Sequence, residues 1–97
     1  MDIQINQEDH GERGRYQLVV DGTEAGEVTY RMHEGRRVFI HTGIEEAFEG
    51  HGLASKLAAH VLDAARAEGL KIVPKCPYIR GYIEKHPEYQ DLVATEE

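Results

Sequence analysis

The segment "FEGHGLASKL", Phe48 to Leu57, brackets His51 with Gly50 and Gly52 and passes straight into a helix-like pattern. The first amides of a helix have no internal acceptors, and the aligned peptide dipoles place partial positive charge there. Glycines let an anion approach such a backbone with no Cβ in the way. This spacing therefore describes either a cradle for a diphosphate or a glycine-rich turn that binds nothing. A dinucleotide fingerprint is excluded, since a third glycine at the required spacing is missing and no parallel βαβ unit precedes it. A P-loop is excluded because no Gly-Lys-Ser/Thr follows.

The second candidate is "VPKCPY", where Cys76 stands just after a strand-like run and just before Pro77. A thiol at a helix N-terminus beside Lys75 favours the thiolate and is reactive. A lone cysteine is equally often a small buried hydrophobe, and both readings stay open. His41 interrupts an apolar strand ahead of the glycines. It is either a hydrogen-bonded core histidine or a base. Tyr78 and Tyr82 recur at helical spacing, which suits core packing, but a hydroxyl beside a cofactor thiol would serve as an acid; Tyr82 is the candidate. The only serine, Ser55, falls in the first helical turn, where a phosphate hydrogen bond suits it better than nucleophilic attack. No two of the six histidines pair at i,i+4 on a helix, and no second cysteine supports a zinc set, so no metal site is expected.

These residues need elements to hold them. "DIQINQ", "RYQLVV" and "GEVTYRM" alternate, placing Ile3 and Ile5, then Tyr16, Leu18 and Val20, then Val28, Tyr30 and Met32 on single faces. "DGTE" is the turn between the second and third, and "HEGR" is a second turn that leads into the next strand. "RVFIHTGI" carries Val38, Phe39 and Ile40 in a row, the mark of a central strand covered on both faces. From Ala54 the period becomes helical: Ala54, Leu57, Ala58, Val61, Leu62 and Ala65 form one stripe. Gly69 suits the helix end. "LKIVP" then returns as a strand parallel to its neighbour. Pro77 opens a second helix, "PYIRGYIEK", which Pro87 stops. The expected fold is α+β, a mixed layer of about five mostly antiparallel strands with a crossover helix and a short C-terminal helix.

The 97 residues suit one domain with one modest core. A formal charge of −7 argues against nucleic-acid binding, which needs clustered Lys and Arg. No apolar run approaches the roughly 20 residues of a membrane span, and the acidic N-terminus does not read as a leader. One cysteine allows no internal disulfide and suits a reducing compartment, so a cytoplasmic monomer is expected.

The run "FEGHGLASKLAAHVLDAARAEGLKIVPKCPYIRGYIEKHPEY" resembles the GCN5-related N-acetyltransferase superfamily. It is most similar to small members with a Pro-x-Cys-Pro segment, here Pro74 to Pro77, and a terminal His-Pro-Glu-Tyr. The resemblance runs from about Val38 to Val93. It implies acetyl-CoA or CoA as ligand, and acetyl transfer to an acceptor, a small amine or a protein. It places the diphosphate on the loop of Glu49, Gly50, His51, Gly52 and Leu53, with Ala54 and Ser55 in the first helical turn. It places the pantetheine arm along His41, Thr42, Gly43 and Ile44. Cys76 is then the candidate reactive centre, accepting the acetyl group or contacting the acyl end, with His41 a candidate base and the Tyr82 hydroxyl a candidate acid. Three departures stand out. Glu49 occupies a Gln or Arg position, the family's acid tyrosine falls on Ile83 with Tyr82 one place early, and the helices that build the acceptor cleft are missing. A non-catalytic CoA-binding or sensing module is the alternative.

Overall fold

A computed structural model describes residues 1–94. Strands β1 (Ile3–His10), β2 (Arg13–Val20), β3 (Thr23–His33) and β4 (Arg36–Ile44) form an antiparallel meander. Helix α1 (Leu53–Ala67) carries the chain over to β5 (Lys71–Pro74), which pairs parallel to β4. Helix α2 (Pro77–Lys85) and a 3-10 turn (Pro87–Leu92) complete a two-layer α+β fold with the sheet order β1-β2-β3-β4-β5. No helix among the described residues is long and apolar enough to cross a membrane.

One face of the sheet holds the core. Tyr16, Leu18, Val20, Val28, Tyr30 and Phe39 meet Leu53, Leu57, Ala58, Val61, Leu62 and Ala65 of α1, with Ile79 and Ile83 of α2. Each large aliphatic side chain fully buried here contributes roughly 1.5–3 kcal/mol. The helical stripe starts one residue earlier than its pattern suggested, because Leu53 is buried and Ala54 only half-buried. Gly69 closes α1 as expected. Its N–H bonds to Arg66 O, and the Leu70 N–H reaches back to Ala65 O at 3.0 Å.

Two sequence expectations need correction. The first strand runs on past "DIQINQ" to His10 and the second begins at Arg13, ahead of "RYQLVV", so only a two-residue turn separates them. β4 is next to the edge rather than central, and its apolar triplet is not covered throughout. Val38 and Phe39 are buried, but Ile40 is 41% exposed. The cause is a β-bulge: Thr29 pairs with His41 and Tyr30 with Phe39, leaving Ile40 as the extra residue.

Candidate functional site

The bulge coincides with a parting of strands. β4 and β5 are paired only from Arg36/Lys71 to Phe39/Pro74. Among the described residues the last backbone hydrogen bond across the split is the Cys76 N–H donating to Phe39 O at 2.9 Å. Beyond it β4 keeps its bonds to β3 as far as the Glu45 N–H on Ala25 O. Along its other edge, residues 40–44, no strand among the described residues lies beside it. Alternate backbone N–H and C=O groups there are left to face a wedge-shaped gap.

At the head of the wedge Thr42 Oγ1 and Cys76 Sγ share a hydrogen bond of 3.1 Å. Cys76 is the N-cap of α2 and only 2% exposed, so the sulfur packs in the core as well as facing Thr42. At the other end the wedge opens into a cleft of about 330 Å³, lined by Thr42, Ile44, Phe48, Glu49, Gly50, Gly52, Leu53, Ala54, Ser55 and Tyr78. Gly50 and Gly52 both have positive φ, +88° and +71°, a conformation that costs other residues about 1–2 kcal/mol. A Cβ on either would meet nothing within 4 Å, so open space lies in front of this backbone. Gly52 caps α1 without a side-chain hydrogen bond, which leaves the first amides of the helix open to an anion.

The site residues expected from sequence divide in two. Thr42, Ile44, Glu49, Gly50, Gly52, Leu53, Ala54 and Ser55 line this cleft, and Cys76 stands at its head. His41 and Gly43 do not; they turn to the opposite, helix-free face of the sheet, where His41 Nε2 lies 3.0 Å from the place a Gly43 Cβ would occupy. That follows from strand geometry, since neighbours of Thr42 must point the other way. They border a second groove with Glu24, Glu27, Glu45, Glu46 and Glu49. His51 is exposed and lines neither hollow. Tyr82 also stands outside the cleft, stacked on His86 with ring centroids 4.1 Å apart, and burial raises its pKa.

Sequence reasoning overlooked Phe48 and placed Tyr78 in the core. Tyr78 is 38% exposed and its hydroxyl meets Ser55 Oγ at 3.1 Å across the cleft mouth. The signal was one residue on: Ile79 and Ile83 are the i,i+4 core pair of α2, so the tyrosines must flank them. Glu49 is exposed on the cleft rim, where its loop offers backbone amides and its carboxylate can turn to water.

A meander, one helical crossover, parted parallel strands and a glycine turn at the crossover helix make up the frame of this cleft. Residues 15–92 match the family model described as GCN5-related N-acetyl-transferase, and the chain belongs to that family. It is 30% identical over 90 residues to protein NATD1 of Mus musculus, covering 91% of this chain and 82% of that one. NATD1 of Homo sapiens is 30% identical over 82 residues, 82% of this chain and 73% of the human protein. The fold superposes on the solution NMR structure of a GCN5-like protein from Staphylococcus aureus with a TM-score of 0.67 and 26% identity, over 95% of this chain and 90% of that one. A ribosomal-protein-alanine N-acetyltransferase from Brucella melitensis shares the fold at a TM-score of 0.58 and 22% identity, covering 89% of this chain and 64% of the larger one.

Proposed function

We propose that this domain binds acetyl-CoA in the wedge between β4 and β5 and passes the acetyl group to an amine, on a small molecule or a protein. The observation that carries the reading is the parting of the strands at Phe39 and Pro74 with the glycine turn at the open end. An extended amide-bearing arm suits the unpaired edge of residues 40–44, and a diphosphate suits the amides behind Gly50 and Gly52. A thioester supplies an activated acyl carbon. The acceptor nitrogen would form the new C–N bond as the C–S bond breaks, and the departing thiolate would take up a proton. The chain contributes position and backbone donors more than reactive side chains. Cys76 and Thr42 would meet the acyl end, with Cys76 either touching it or accepting the acetyl group as a thioester. His41, on the open face, is the base for an acceptor arriving from that side. Tyr82 is the acid only if its ring leaves His86, and Tyr78 is the hydroxyl already facing the cleft.

The buried Cys76 and the stacked Tyr82 favour a second reading, a CoA-binding module without catalysis. Calorimetric titration with acetyl-CoA, followed by thiol release and intact mass with amine acceptors, separates the two. Binding with thiol release supports transfer, and binding alone leaves the module. No binding at millimolar ligand overturns both. A Cys76→Ala variant as active as wild type removes that side chain from the mechanism.

A further inference from the structure

The helix-free face of the sheet carries a row of like charge. Tyr30 points into the core, so its neighbour Arg31 points away from it, and Arg13 of β2 stands directly opposite Arg31. His10 of β1 faces Arg13 in turn. Side chains opposed in this way have Cβ atoms about 4.5–5.5 Å apart, and like charges so placed destabilise a sheet.

The chain has ample means to neutralise this row and does not use them. It carries 18 acidic against 11 basic residues. Elsewhere the acids take up arginines: Arg15 is held by Glu8, Glu24 and Glu27, Arg37 by Glu68 and Arg66 by Asp91. Arg13 and Arg31 make no hydrogen bond or ion pair among the described residues. Both line a hollow of about 260 Å³, and the Glu12 and Glu34 that border it leave them unpaired. Arg13 also lines a broader groove of about 500 Å³, which runs past Thr29 to the exposed Ile40 at the bulge. Two guanidinium forks on adjacent strands offer paired donors to the oxygens of one oxyanion.

We propose that Arg13 and Arg31 form a binding site for an oxyanion, a phosphate or carboxylate group, with His10 as a further donor. A bound anion turns the repulsive pair into a bridged one, which accounts for the missing counter-ion. The groove leads from this site to Ile40, next to His41 and the parting of β4 from β5. In the acetyl-transfer reading the acceptor amine arrives on this face, so the anion is the acidic group of the acceptor. That assignment rests on the acetyl-transfer reading; the site itself does not.

Thermal unfolding with inorganic phosphate, against chloride of the same ionic strength, tests the site. Phosphate at about 20 mM should raise the wild-type midpoint by about 4 °C over chloride, as a ligand with a Kd of a few millimolar does. Arg13→Gln and Arg31→Gln should each lose most of that shift. In chloride the exposed Arg13→Gln should be no less stable than wild type, because it relieves the opposed charge. No wild-type shift, or an equal shift in all three proteins, overturns the site and leaves only the general effect of an excluded salt. A drop in stability for Arg13→Gln in chloride overturns it too, since the protein itself would then be holding that arginine. Thiol release from acetyl-CoA with phosphoethanolamine and ethanolamine as paired acceptors identifies the source of the anion. Wild type should favour the phosphorylated amine by about fivefold in kcat/KM, the scale of a largely exposed ion pair, and Arg13→Gln should not distinguish the two. No preference beside an intact phosphate shift overturns the acceptor assignment and makes the ligand a free anion. No thiol release with either amine counts against the acetyl-transfer reading, and the phosphate shift still decides the site.

Discussion

Thr42 Oγ1 and Cys76 Sγ lie 3.1 Å apart although β4 and β5 have already separated at Phe39 and Pro74. The contact joins the unpaired part of β4 to the cap of α2 and fixes the head of the wedge. With Cys76 2% exposed, its thiol should react with a disulfide reagent at least about tenfold more slowly in the native protein than in urea. Equal rates in the two states would show that the sulfur is open to solvent.

Gly52 carries both a backbone conformation and an approach surface. Gly52→Val should cost about 1–2 kcal/mol of stability through the positive φ and should weaken acetyl-CoA binding. Gly52→Asn, which tolerates that conformation better, should recover most of the stability without restoring the open approach. Thermal unfolding and calorimetry read the two effects separately. Wild-type affinity in the valine variant would remove the glycine turn from the ligand site.

Arg37 is 3% exposed on β4, paired with Glu68, bonded to Tyr16 Oη at 2.8 Å and lying 4.6 Å from the Tyr30 ring centre. Its Nε has no partner among the described residues. Arg37→Met removes that orphan donor with the rest, so its cost should stay near 1–3 kcal/mol. Glu68→Gln should cost less, because Glu68 is 44% exposed. Urea unfolding of the two variants checks the order, and the reverse order would make the ion pair the dominant contact.

Burial raises Tyr16 to about 12, and burial followed by its bond to Asp63 raises Tyr89 to about 12. Unfolded tyrosines release their protons near 10.0. The native state therefore holds protons that the unfolded chain gives up. Stability from these groups is full below about pH 10 and lost as pH rises through about 12. The urea midpoint should fall steadily across that window, together with late tyrosinate absorbance; a flat midpoint would contradict it. At the acid end the sign reverses. Arg66 holds Asp91, and Arg15 holds Glu24, below the ordinary carboxylate range. Their contribution is present at neutral pH and lost as pH falls through those lowered values.

Much of the fold was legible because period and punctuation agreed. Tyr16, Leu18 and Val20 alternate, Leu57 to Ala65 step at helical spacing, and Gly69 and Pro77 mark a helix end and a helix start. The bulge at Ile40 was not legible, for no glycine or proline announces it and three apolar residues in a row look like a covered strand. That single inserted residue decides which of its neighbours face the wedge. The glycine turn was readable from residue types alone. Separating Thr42 from His41, and Tyr78 from Tyr82, needed the register of β4 and the rotation of α2.

The order of the sheet also bears on how the molecule assembles. Neighbours within the meander close through tight turns, His10 beside Arg13 and His33 beside Arg36, whereas Arg36 must find Lys71 across the whole of α1. Contacts so distant along the chain are entropically late in folding. The meander and the returning half meet along four paired residues on each strand and then diverge. The wedge is thus the seam between an early, local unit and a late, long-range one. A ligand lying in it would touch both, and would lock together the two parts of the chain that have the least sequence proximity to hold them.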